Sequence, residues 1–209
     1  MKTVTNVIPI EEIFSDITLI GQTPNLIMQA QLPDKIFDEV KNWIKPCRAV
    51  KDDEYRLLLN HYNAGTNHNS YQTAVPQSLI HNSFFLGYAC HFGELYLRST
   101  STHEMNKVVM PRRCHMRHYP GHFDGYDIWV NFAYKGDDNP VHNHSGTLSS
   151  IIYIQDEDCQ PTIFPEIGYT HKPEQGQILM FPAHLLHLVE EKKTESERIT
   201  ASFNLNVTD

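Results

Sequence analysis

Arg198-Ile199-Thr200-Ala201-Ser202-Phe203-Asn204-Leu205-Asn206-Val207, near the C-terminal end of the chain, alternates without a break. Ile199, Ala201, Phe203, Leu205 and Val207 fall on one side of an extended backbone. Arg198, Thr200, Ser202, Asn204 and Asn206 fall on the other. Successive side chains of a β-strand point to opposite faces, so this period of two predicts a strand with one apolar and one polar face. The polar face has two readings. It is solvent-exposed on an edge strand, or it lines a cavity; an arginine among hydroxyls suits an anionic ligand there.

Further upstream the same signal recurs. Residues 177–181 (QILMF) and 148–154 (LSSIIYI) are short apolar runs of strand length. Tyr126, Ile128, Val130, Phe132 and Tyr134 alternate with Asp127, Trp129, Asn131 and Ala133. The basic stretch Pro111-Arg112-Arg113-Cys114-His115-Met116-Arg117-His118 also alternates and reads as a strand, with a local basic face near a site as the second reading. Gly136-Asp137-Asp138-Asn139-Pro140 is a turn, and its two carboxylates are expected to be solvated. Short strands separated by turns predict a β-sandwich or barrel.

The first hundred residues differ. Leu32-Pro33-Asp34 precedes Ile36, Phe37, Val40, Trp43 and Ile44, the spacing of one helical face, which Pro46 is expected to end. Residues 83–98 (SFFLGYACHFGELYLR) predict a second helix, weakened by Gly87 and Gly93. Residues 53–77 are polar, rich in Asn and His, and predict irregular structure. The expected organisation is one domain over residues 1–209, mainly β (α+β). A helical and mixed support region at 1–104 packs on a β core at 105–209.

Composition excludes several classes. A chain of 209 residues, 40% hydrophobic and 20% charged, fits a soluble globular fold with one core. A net charge of −8 argues against general binding to nucleic acid, which needs clustered Lys and Arg. No apolar run is long enough for a membrane helix. MKTVTNVIPIEEIF lacks the apolar stretch of a signal peptide. Cys47, Cys90, Cys114 and Cys159 form no CxxC and read as buried thiols in a reducing compartment. The expected location is therefore cytoplasmic, in the host cytoplasm for a phage-encoded chain. No G-x-S-x-G, P-loop or dinucleotide fingerprint occurs.

The chain holds 13 His. His142-Asn143-His144 sets two imidazoles at i and i+2, on the same side of an extended backbone and within reach of one ion. The plainer reading of such a pair is two surface residues. His187 follows the QILMF segment within Phe181-Pro182-Ala183-His184-Leu185-Leu186-His187, and its apolar neighbours predict burial. It is a third ligand or a core histidine bonded to a backbone carbonyl; His184 competes for the same role.

Taken in order, these elements resemble the 2-oxoglutarate/Fe(II)-dependent oxygenase superfamily. They are His-x-His, a strand ending Ile152-Tyr153-Ile154, Gly176-Gln177-Ile178-Leu179-Met180-Phe181-Pro182, His187, and Arg198-Ile199-Thr200-Ala201-Ser202-Phe203-Asn204. The likeness is to a bacterial and phage branch carrying His-x-His, and more distantly to prolyl hydroxylases; it covers about residues 125–207. The resemblance implies a double-stranded β-helix (jelly roll, cupin-like) with N-terminal packing helices and iron at its mouth. It implies Fe(II) held by His142, His144 and His187. The cosubstrate 2-oxoglutarate is implied at Arg198, Thr200 and Tyr153, with Ser202 and Asn131 as further lining. O₂ and an unknown prime substrate (a peptide, a small molecule or a nucleobase) complete the expected partners. His144 departs from the family, whose usual triad is two His and one carboxylate. Ligation by His144 is the reading adopted; a vacant position, or ligation by Asp138, are the alternatives. Two other classes fit part of the pattern: a three-His cupin-type metalloenzyme without 2-oxoglutarate, and a non-catalytic jelly-roll binding module.

Overall fold

The alternating C-terminal segment forms an 11-residue strand, Arg198–Thr208, in a computed structural model that describes residues 16–49, 71–81, 83–100, 113–117, 125–155 and 160–208. The strands in chain order are β1 (Thr18–Ile20), β2 (Ile27–Gln31), β3 (Tyr71–Ala74), β4 (Arg113–Met116), β5 (Ile128–Ala133), β6 (Asn139–His142), β7 (Leu148–Gln155), β8 (Thr162–Phe164), β9 (Tyr169–His171), β10 (Gln177–Pro182), β11 (His187–Val189) and β12 (Arg198–Thr208). The α-helices are α1 (Asp34–Lys41), α2 (Ile44–Ala49), α3 (Gln77–Ile80) and α4 (Phe84–Thr100).

β12 is the centre of the larger sheet. It pairs antiparallel with β7 on one side and with β5, then β4, on the other. Strand order across this eight-stranded sheet is β1-β2-β10-β7-β12-β5-β3, with β4 added beside β12. The edge-strand reading of β12 therefore fails. Its polar row is enclosed: Arg198, Thr200, Ser202 and Asn204 are all below a tenth exposed. The smaller sheet has the order β6-β11-β8-β9. Two antiparallel sheets with the site residues between them form the expected double-stranded β-helix.

Each face of the larger sheet does a different job. Outward residues Ile128, Val130, Phe132, Ile152, Ile178, Met180, Ala201, Phe203 and Leu205 join Trp43, Phe85, Ala89 and Phe92 from the helical segments in the main core. Inward residues Ile27, Ile151, Tyr153, Leu179 and Phe181 join Phe164 and Leu185 in a second, smaller core between the sheets. Gly93 explains itself here. A Cβ at that position would lie 2.7 Å from Leu205 and 2.8 Å from Cys114, so glycine lets α4 approach β4 and β12 closely.

Three expectations need correction. Pro46 does not end a helix: the break comes at Asn42-Trp43, and Pro46 sits in the first turn of α2, where its missing N–H has no intrahelical acceptor to lose. Within the expected irregular segment 53–77, residues 71–74 form β3 and pair with β5; residues 53–70 lie outside the described residues. Tyr71 stacks on Phe132 with centroids 4.7 Å apart, a tertiary contact that composition does not reveal. The larger sheet also takes β1, β2 and β3 from the first hundred residues. Cys47 and Cys114 are buried thiols and Cys90 is half-buried, while Cys159 lies outside the described residues. Among the described residues, no helix is long and apolar enough to cross a membrane.

Candidate metal centre

β6 and β11 lie side by side in the smaller sheet, in a register that sets His142 opposite His187. His144 follows two residues beyond His142, and its backbone N–H donates to the Ala183 carbonyl at 2.8 Å. These three residues each bring one ring nitrogen within 4.8 Å of the other two, and they form the metal-capable group among the described residues. One ion bonded at about 2.0–2.1 Å would hold the nitrogens roughly 3–3.5 Å apart, a modest side-chain adjustment.

The protons are already placed. His142 Nδ1 lies 2.7 Å from the Pro140 carbonyl, and His187 Nδ1 lies 3.1 Å from the Leu185 carbonyl. A carbonyl only accepts, so each Nδ1 carries the hydrogen and each Nε2 keeps its lone pair. Burial lowers the pKa of all three. His142 is shifted down mainly by desolvation. His144 is pushed down to about 3 by burial and then by His142, and His187 falls well below the ordinary value for the same reasons. All three are neutral near pH 7, the form that ligates.

His184 is exposed, with Nε2 3.2 Å from Asn25 Oδ1, and it lies outside the group. Asp138 is exposed and lines the adjoining cavity without joining the histidines. Asp137 corrects the expectation of two solvated carboxylates. It is 1% exposed, and its Oδ2 accepts the Tyr134 N–H at 2.6 Å, fixing the turn that leads into β6.

The opposite wall of the cavity comes from β5 and β12. Arg198, Thr200 and Ser202 line it beside Asn131 and Trp129. Asn131 Nδ2 donates to Thr200 Oγ1 at 3.1 Å and to Ser202 Oγ at 3.3 Å, while its Oδ1 accepts from Trp129 Nε1 at 3.1 Å. The indole in turn rests near His144, with ring centroids 5.6 Å apart. The polar face of β12 is thus hydrogen-bonded through Asn131 to Trp129, whose ring lies beside His144. Tyr153 is fully buried in the inner core; its hydroxyl lies 2.7 Å from Thr162 Oγ1, and the Arg198 guanidinium is 6.0 Å from its ring.

Sequence reading missed Tyr71, Gln72 and Lys192, which also line this cavity. Lys192 is 1% exposed and donates to Thr194 Oγ1 at 2.6 Å and Ser196 Oγ at 3.0 Å. It stands in the charged run Glu190-Glu191-Lys192-Lys193, where nothing distinguishes it from a solvated residue.

Comparison with known proteins agrees with this geometry. A family described as "Putative 2OG-Fe(II) oxygenase" matches residues 165–204, a stretch that includes His187, Arg198 and Thr200. No curated protein matches the chain by sequence. Among solved structures, the viral collagen prolyl hydroxylase from Paramecium Bursaria Chlorella virus-1, in complex with 2-oxoglutarate, superposes with a TM-score of 0.51 at 14% identity; 86% of this chain and 94% of that one are covered. A truncated form of the same enzyme gives 0.51 at 13% identity, over 86% and 89%. A prolyl-4-hydroxylase from Pseudomonas putida gives 0.44 at 14%, over 85% and 91%. The likeness to 2-oxoglutarate/Fe(II) oxygenases read from the sequence is thus met in the matched stretch, and the viral enzyme shares the fold.

Proposed function

We propose that the chain is an Fe(II)- and 2-oxoglutarate-dependent oxygenase that hydroxylates a C–H bond of a prime substrate with release of succinate and CO₂. The observation that carries this reading is the facing of two groups across one cavity. Three neutral imidazoles gather on the smaller sheet. A buried arginine stands on the larger sheet, with hydroxyls beside it. The family match over residues 165–204 supports the same assignment.

Imidazole donors fit a divalent first-row metal, and His142, His144 and His187 are the residues that would hold it. Bound iron supplies O₂ activation coupled to decarboxylation of the cosubstrate. His144 in place of a carboxylate leaves the centre one charge unit more positive than the usual triad. Arg198 pairs with the distal carboxylate of 2-oxoglutarate, for which a planar guanidinium has matching bidentate geometry. Thr200 adds a hydroxyl from the same face. Tyr153 is assigned a second contact to that carboxylate, which requires its hydroxyl to exchange Thr162 for the ligand. The inner core beneath these residues limits water at the reacting end. The reading treats residues 1–209 as one domain, supported by the three early strands in the sheet that carries Arg198. Its compartment is taken as the cytoplasm, where free thiols stay reduced.

The test is anaerobic reconstitution with Fe(II), followed by O₂ and measurement of succinate formed from 2-oxoglutarate. Metal-dependent binding of 2-oxoglutarate with slow succinate release is expected even without the prime substrate. Metal binding with no 2-oxoglutarate binding would instead identify a three-His enzyme of another kind, and binding of neither would leave a non-catalytic jelly roll.

A further inference from the structure

The three histidines are not held alike. The rings of His142 and His187 are each fixed by their own Nδ1 bond to a carbonyl. Among the described residues His144 makes no such ring bond, so its aim depends on the segment that carries it. That segment is tied down at three points. The His144 N–H donates to the Ala183 carbonyl at 2.8 Å, and the Thr147 N–H donates to the Leu205 carbonyl at 2.9 Å. Between them, the Ser145 hydroxyl accepts from Arg117 Nη1.

Arg117 is itself anchored. Its Nη1 lies 3.3 Å from Asp127 Oδ2, and Asn204 Nδ2 donates to the same oxygen at 2.8 Å. Backbone bonds weave the three together: Arg117 N–H to Asn204 O at 3.0 Å, Asp127 N–H to Arg117 O at 2.6 Å, and Asn204 N–H to Asp127 O at 3.1 Å. The Asp127 side chain is 4% exposed and that of Arg117 20%. A cation and an anion held together, with Asn204 on the shared carboxylate oxygen and three backbone bonds around them, form a stiff post. The only side chain it touches outside itself, among the bonds just described, belongs to the residue next to His144.

We propose that Arg117, braced by Asp127 and Asn204, is the positioning residue for His144. It holds the Ser145 hydroxyl and so sets the imidazole that stands where this fold's relatives usually place a carboxylate. The proposal rests on the metal-centre reading above. It also gives a role to one cation of the basic stretch at residues 111–118, which net charge does not explain.

The experiment is a double-mutant cycle read by Co(II) titration of the metal-free protein, using the d–d absorption of the bound ion. Arg117→Met is expected to weaken Co(II) binding by about 10–100-fold, the usual consequence of losing an outer-shell partner, and to shift the absorption toward that of His144→Ala. In the His144→Ala background the same substitution is expected to change Co(II) affinity no further. Arg117→Lys keeps a cation beside Asp127 and is expected to recover part of the affinity. A structural role alone would move the melting temperature of the metal-free protein equally in both backgrounds and leave the affinity ratio unchanged; that result overturns the proposal. If Arg117→Met does not fold, Ser145→Ala makes the same test, since it removes one exposed hydroxyl and leaves the ion pair intact. A wild-type chain that binds no Co(II) overturns the metal centre itself, which is a different failure from a wild type that binds normally and an Arg117→Met that binds equally well.

Discussion

The space between the two sheets has an apolar half and a polar half, and both are built by the same device. Along β2, β10 and β7 the inward positions are Ile27, Leu179, Phe181, Ile151 and Tyr153, which close against Phe164 and Leu185. Along β12 and β5 the inward positions become Arg198, Thr200, Ser202, Trp129 and Asn131, which face a cavity. The change happens between neighbouring strands, β7 and β12. His187 belongs to both halves. Its ring packs 4.9 Å from Phe181 and 5.8 Å from Phe164, while its free nitrogen faces the other histidines. On the proposed function, the apolar half aims a metal ligand and the polar half receives the cosubstrate.

The largest expected effect falls on the residue that joins the two halves. His187→Ala removes a ring that packs on the apolar half and faces the polar one, and is expected to reduce Co(II) or Fe(II) affinity by more than about 100-fold, measured by titration of the metal-free protein. Arg198→Ala, wholly in the polar half, is expected to weaken metal-dependent 2-oxoglutarate binding by a similar factor while metal affinity stays within about twofold. Equal loss of both ligands in both variants would mean that the two roles are not divided as assigned.

A smaller effect separates the halves by stability. Phe181 is fully buried against Phe164 and His187, so Phe181→Ala should cost about 3–5 kcal/mol in urea unfolding of the metal-free protein. Ser202→Ala removes one of two hydroxyls that Asn131 contacts, and should cost no more than about 0.5–1.5 kcal/mol. If Ser202→Ala costs as much as Phe181→Ala, the polar row is a structural network and not a binding surface.

What the sequence discloses follows the same division. β12 is legible because ten residues alternate without interruption, and β7 and β10 because their apolar runs have strand length. Whether the polar face of β12 lies inside is not legible, because enclosure depends on β5 and β7 pairing on both of its edges. β8 and β11 have three residues each, too few to show a period, and Gln72 and Thr73 hide β3 in a polar stretch. The histidines can be singled out by residue type, and Arg198 by its place at the head of a strand. Asp137, Lys192 and Arg117 cannot, because each sits among like polar residues and acquires its role only through burial or a distant partner.

The last expected effect is on pH dependence, and it draws on both halves. Burial pushes the pKa of His144 in the polar half down to about 3, and that of His171, whose ring stacks 5.1 Å from Tyr153 in the apolar half, down to about 4. In the unfolded chain both return to about 6.5. As pH falls below that value the unfolded state takes up protons that the folded state refuses. Stability is therefore full above about pH 6.5 and is lost as pH drops toward the folded values, by at most about 1.4 kcal/mol per pH unit for each group. His142 and His187 are shifted in the same direction. Urea unfolding of the metal-free protein between about pH 7.5 and about pH 5 should show this slope. His171→Asn should lower it by one group's share, leaving the part owed to the three histidines. Bound Co(II) should raise stability at each pH while leaving the slope near that of the metal-free protein, since the folded chain already holds these nitrogens unprotonated over this range. A slope that Co(II) steepens markedly would mean that the three histidines take up protons in the folded metal-free protein, and that burial does not keep them neutral.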